Sequence, residues 1–117
     1  MRRETRVSDC LFCKIATGQI KSEKVFENDT IFAFKDINPQ APQHILVIPK
    51  RHINSPAEAT GSELTAIFSA AARIADELKI KDSGFRMVFN QGPDAGQAVP
   101  HLHLHVLGGR PLHWPPG

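Results

Sequence analysis

His101–Leu102–His103–Leu104–His105–Val106–Leu107 is the stretch that decides the fold of this chain. Polar and apolar residues alternate, which predicts a half-buried β-strand starting at His101. On such a strand the three imidazoles share one face, and Leu102, Leu104 and Val106 point into a core. Same-face neighbours lie about 6.5–7 Å apart along a strand, close enough for two rings to touch one phosphate or one metal ion. Three of the chain's six histidines stand in this run.

Working outward, Gln91–Pro100 is rich in glycine and proline and reads as a loop running straight into the histidine strand. Phe85–Phe89 is an apolar run of strand length. Upstream of it, Leu64, Ile67, Phe68, Ala71, Ala75 and Leu78 recur at three- and four-residue spacing, predicting one long helix with a single apolar face. Thr60 or Ser62 caps its start. His44–Ile48, closed by Pro49, reads as a strand, and the loop Asp36–Pro42 precedes it. Val25–Phe26 and Ile31–Phe34 flank Asn28–Asp29 as a hairpin. Cys10–Ala16 reads as a short helix stopped by Gly18. The reading is therefore an α+β domain, with a mainly antiparallel five-stranded sheet, one long helix and a short N-terminal helix. Residues 1–9 read as a flexible arm and residues 10–117 as the domain.

The chain has 117 residues, enough for one core, and a hydrophobic fraction of 41% supplies it. A formal charge of +2 is too small for a general nucleic-acid or membrane binder, and small anionic ligands stay open. No apolar run resembles a signal peptide or approaches the length of a membrane span, so a cytoplasmic location is expected. The two cysteines, Cys10 and Cys13, form a CxxC pair. In a reducing compartment that favours metal binding or redox use over a structural disulfide.

The histidine strand admits three readings: a solvated surface, a catalytic metal site, or nucleophilic catalysis in which one imidazole attacks phosphorus and a neighbour moves the proton. Gly92 and Gly96 allow the preceding loop to bring backbone N–H groups beside the rings. A phosphate suits that setting better than a bare metal ion.

The run also fits the histidine triad motif, His-φ-His-φ-His-φ-φ with φ hydrophobic. The chain from Cys10 to Gly117 resembles the histidine triad (HIT) family in its nucleotide-binding Hint branch. The resemblance extends through Asp36–Pro42, His44, Leu46–Lys50, Asn90, Gly96–Gln97, Leu107–Arg110 and Trp114–Gly117. It implies a homodimer whose sheets join into one, and hydrolysis of purine nucleoside phosphoramidates (AMP or GMP conjugates of an amine) through a nucleotidyl-histidine. It puts the nucleophile on His103, charge and proton handling on His105, and a proton relay on His44. It puts the ribose hydroxyls on Asp36 and the base against Ile37, with Phe12 and Phe34 behind it. Asn90 and the backbone of Gly96, Gln97, Ala98 and Val99 would hold phosphate, and Trp114 would reach the partner's site. Ala98 departs from the family, where a hydroxyl residue is common, and Pro100 replaces a position that is often aromatic.

By the same resemblance, Cys10, Cys13, His52 and His101 would hold a zinc ion. Four protein ligands leave no open position, so the ion would be structural and no catalytic metal is expected. Two other functions remain in play: a purine-nucleotide-binding regulatory module with little catalysis, and a dinucleoside polyphosphate hydrolase. A zinc hydrolase built on the triad itself is a third.

Overall fold

The structure, a computed structural model, describes residues 9–117. The expected arm therefore lies outside the described residues, save for Asp9, which is exposed. Helix α1 spans Leu11–Ala16, with Cys10 as N-cap and its Sγ accepting from Cys13 N–H at 3.4 Å. Gly18, at φ +83°, turns the chain out of it in the left-handed region.

Strands β1 (Lys24–Glu27) and β2 (Ile31–Lys35) form the hairpin. Its turn is held by Asn28, whose Oδ1 accepts from the Thr30 and Ile31 N–H groups at 3.0 and 2.8 Å. Strand β3 (Gln43–Pro49), helix α2 (Gly61–Glu77), strand β4 (Phe85–Phe89) and strand β5 (Leu104–Gly108) follow. The five strands are antiparallel throughout, in the order β1-β2-β3-β5-β4. The fold is the α+β arrangement that the sequence predicts, a five-stranded antiparallel sheet with one long helix and a short N-terminal helix.

Strand alternation divides the two faces. Ile31, Ala33, Ile45, Val47, Leu104 and Val106 pack against Ile67, Ala70, Ala71, Ile74 and Ala75 of α2. On the opposite face Phe32, Phe34, Leu46 and Ile48 pack against the N-cap Cys10 and against Phe12, Cys13 and Ile15 of α1. The central pair β3–β5 runs in the register His44↔Leu107 and Leu46↔His105. His44 and His105 are thus diagonal neighbours on the α1 face.

Two expectations need correction. The histidine strand starts at Leu104, not at His101. The backbone before it bonds elsewhere: His101 N–H to the Val99 carbonyl at 2.9 Å, and Leu102 N–H to the Ile53 carbonyl at 2.6 Å. Pro100 lies in that bend and offers no N–H to a ladder. Phe68, expected on the buried face of α2, is 57% exposed, because Ala70 and Ile74 occupy the stripe that faces the sheet. Thr60 is the N-cap of α2, in a reciprocal capping box with Glu63. Glu63 also takes both prongs of Arg51 at 2.8 Å, which pins the connection carrying His52 to the start of α2. No helix among the described residues is long and apolar enough to cross a membrane.

Candidate active site and metal centre

Hydrogen-bond partners assign the proton on each catalytic candidate. His103 Nδ1 lies 2.7 Å from the His101 carbonyl oxygen, which can only accept. Nδ1 therefore carries the proton, and the lone pair of His103 sits on Nε2. Gln40 N–H donates to His44 Nδ1 at 3.0 Å, so His44 carries its proton on Nε2. That Nε2 lies 2.9 Å from His105 Nδ1 and 3.5 Å from Asp36 Oδ2. His44 donates to His105, whose own proton must then stand on Nε2. The arrangement presents a bare nitrogen on His103 beside an N–H on His105, with ring centroids 5.0 Å apart. Nε2 of each ring has no protein partner among the described residues.

Burial keeps the neutral forms in place. It lowers His103 and His44 below the ordinary imidazole value. Burial, followed by repulsion from the His103 and His44 rings, pushes His105 down to about 4. At neutral pH the nucleophile candidate is a neutral ring whose Nε2 is free without any base having to strip it.

Asp36 stands at the end of β2, half-buried, with Oδ1 accepting from Asn38 N–H at 2.9 Å. Ile37 beside it is 99% exposed, free to cover a planar ligand, while Phe12 and Phe34 are buried edge to face at 5.5 Å. In the Gln91–Pro100 loop the side chain of Gln97 ties the loop to itself and to the connection before α2. It accepts from Gly92 N–H at 2.9 Å and donates to the Asn54 carbonyl at 2.6 Å. Gly96 and Gln97 N–H groups close onto the Pro93 and Gly92 carbonyls. Of the expected phosphate-holding amides, those of Ala98 and Val99 have no partner among the described residues. Asn90 is half-buried at the end of β4. Trp114 is 83% exposed on this chain.

A second cluster joins Cys10, Cys13, His52 and His101, whose donor atoms all lie within 4.8 Å of one another. His101 Nδ1 is 3.3 Å from Cys10 Sγ and 3.5 Å from Cys13 Sγ, and His52 Nδ1 is 3.3 Å from Cys13 Sγ. Zinc–sulfur and zinc–nitrogen bonds at a tetrahedral angle put S and N roughly 3.6 Å apart, so the spacing fits that ion. Both rings turn their other nitrogen to an acceptor, His101 to the Pro49 carbonyl at 2.9 Å and His52 to Asn54 Oδ1 at 3.0 Å. Each Nδ1 is left unprotonated, as a ligand must be. Burial, with the Cys10 thiol alongside, pushes the Cys13 thiol up to about 12. A divalent cation reverses that preference by stabilising thiolate. The bend before β5 keeps the clusters apart: the Phe12 ring stands edge-on between them, 6.0 Å from His101 and 5.1 Å from His103.

The run 101–105 contributes to both clusters, and the HIT domain family model matches residues 17–112, which include that run. The chain belongs to the HIT family. Among its relatives, an uncharacterized HIT-like protein of Synechocystis is 46% identical over 93% of this chain and 97% of its own length. A 14 kDa zinc-binding protein of Zea mays is 40% identical over 94% of this chain and 89% of its own. A crystal structure of a HIT family hydrolase from Legionella pneumophila superposes with a TM-score of 0.89 at 47% identity. That superposition covers 92% of this chain and 99% of the other. What the residues alone did not reveal was Gln40. Its backbone N–H sets the tautomer of His44, and no side-chain pattern marks a backbone donor.

Proposed function

We propose that this HIT protein hydrolyses purine nucleoside phosphoramidates to the nucleoside monophosphate and a free amine. The observation that carries the reading is the 2.7 Å contact of His103 Nδ1 with the His101 carbonyl, which leaves Nε2 as an aimed lone pair. In the first step Nε2 bonds to the α-phosphorus and the phosphorus–nitrogen bond of the substrate breaks. The departing amine takes its proton along the line of His105 and His44. In the second step water cleaves the nucleotidyl-histidine and hands a proton back. The Ala98 and Val99 amides and the His105 N–H would stabilise the phosphoryl oxygens. Asp36 would receive the ribose hydroxyls through Oδ2, and Ile37 would cover the base.

Zinc in the Cys10, Cys13, His52 and His101 site would supply a cross-link between α1, the β3–α2 connection and the approach to β5, with no open position for water. The zinc-binding name of the maize relative and the S···N spacing support it. The homodimer expected from the resemblance, with Trp114 reaching the partner's site, belongs to the same proposal.

A substrate panel tests the reading: adenosine and guanosine phosphoramidates, dinucleoside polyphosphates and AMP itself. The expected result is turnover of phosphoramidates, reduced on the order of 10³-fold or more by His103→Ala with AMP still bound. AMP binding without turnover in the parent protein would instead identify a regulatory module. Preference for the polyphosphates would identify a dinucleoside polyphosphate hydrolase.

A further inference from the structure

We propose that Cys10, Cys13 and His52 are positioning residues for the chemistry: by holding the His101 side chain they fix the carbonyl that decides which nitrogen of His103 is free. His101 is fully buried, and each of its polar atoms is engaged. Its Nδ1 faces the two cysteine sulfurs, its Nε2 meets the Pro49 carbonyl, its N–H donates to the Val99 carbonyl, and its own carbonyl accepts from His103 Nδ1–H. Side chain and carbonyl belong to one residue in a bend outside the sheet, so no ladder holds that carbonyl in register. The cluster is what anchors it from the side-chain end.

A second contact runs the same way. Phe12 follows two residues after the N-cap Cys10, and its ring packs edge-on against both His101 and His103. Whatever sits between the two sulfurs and the two Nδ1 atoms therefore bears on the nucleophile through one backbone carbonyl and one aromatic wall. A competing account is that the Leu102 N–H to Ile53 carbonyl bond holds the bend unaided, leaving the cluster to stabilise the fold alone.

The inference rests on His103 as the nucleophile, and its test reads the imidazole directly. The full chain, labelled with ¹⁵N-histidine, is compared zinc-loaded and after chelation by two-bond ¹H–¹⁵N spectra and circular dichroism. A His52→Gln variant, which keeps three ligands, is titrated with zinc alone. Loaded protein is expected to show His103 protonated at Nδ1 only. Chelation should preserve the far-ultraviolet spectrum, convert His103 to a mixture of tautomers, and slow nucleotidyl-enzyme formation about tenfold or more. AMP affinity should change little. His52→Gln should show the mixture at low zinc and recover the single tautomer at saturation.

An unchanged His103 signature and formation rate after chelation would overturn the proposal. If chelation unfolds the chain, a single Nδ1–H tautomer in His52→Gln before zinc saturates does so instead. Failure to bind zinc also overturns it. A protein that turns over no phosphoramidate while His103 still follows zinc would overturn the proposed function and leave this coupling standing.

Discussion

Each imidazole near the reaction centre has its proton placed by an acceptor or donor that is backbone or another ring. The His101 carbonyl, the Gln40 N–H and the His44 Nε2–H set three tautomers in sequence. The identity of these residues was legible in the alternation at 101–105, since few patterns concentrate three histidines so tightly. Their tautomers were not, because those depend on carbonyls and amides that every residue carries, and the roles expected of each ring came from the family resemblance. Strand alternation alone predicts three equivalent rings. The bend at Pro100 separates them, turning His101 toward sulfur while His103 stays over the α1 face. Burial then depresses these imidazoles, and pH dependence follows with a definite sign. Unfolded histidines take up protons below about 6.5, while His105 in the fold resists until about 4. The unfolded chain thus binds more protons across that window, so the His105 contribution lowers stability as pH drops from about 6.5 toward 4, and loss of the Glu63 carboxylate continues the fall below it. Denaturant midpoints measured across the range check the slope. The acidic limb of kcat/KM should likewise fall below the ordinary imidazole value, because His103 must lose no proton at neutral pH.

Helix α2 packs on the sheet, and the connection before it is tied to the helix start through Arg51 and Glu63. The apolar period was readable from Leu64 to Leu78, yet the stripe that meets the sheet is Ile67, Ala70, Ala71, Ile74 and Ala75. Alanines weigh little in a hydrophobic pattern, but their small size lets the helix approach the strands closely, and Phe68 is turned outward as a result. Glu63 matters more than its position suggests. It completes the capping box with Thr60 and clamps Arg51 one residue before His52. Arg51 and the Thr60 N–H hold its carboxyl down at about 2. Replacing Glu63 with alanine should cost about 1–2 kcal/mol of stability, read as a lower urea midpoint with an unchanged slope. A loss below a few tenths of a kcal/mol would show that cap and clamp are each satisfied by solvent.

At the scale of the molecule, the sheet ends on β4, whose outer edge has no neighbouring strand among the described residues. Met87 and Phe89 on it pair with Val106 and Leu104 of the α2 face, and they remain 37% and 39% exposed. With Phe68 and Trp114, the chain leaves large apolar side chains in water that a partner would cover. The account predicts a particle of twice the 12.9 kDa chain mass by light scattering, and dissociation toward 12.9 kDa on Met87→Glu. A parent protein that stays at the single-chain mass at micromolar concentration would refute the joined sheet. The strands and the long helix were legible along the sequence because each element has its own period, whereas the sheet order β1-β2-β3-β5-β4 came only with the fold. The proposed association came only from the family resemblance, because exposed apolar residues are told from buried ones only after folding.

The central claim is that His103 Nε2 bonds to phosphorus. Its most direct measurement is rapid quenching of the full chain during turnover of an adenosine phosphoramidate, followed by peptide mass mapping of the trapped adduct. The account predicts one adenylyl group on His103, lost in acid and absent from His103→Ala. Steady turnover with no adduct, or an adduct on His105 or His44, would contradict it.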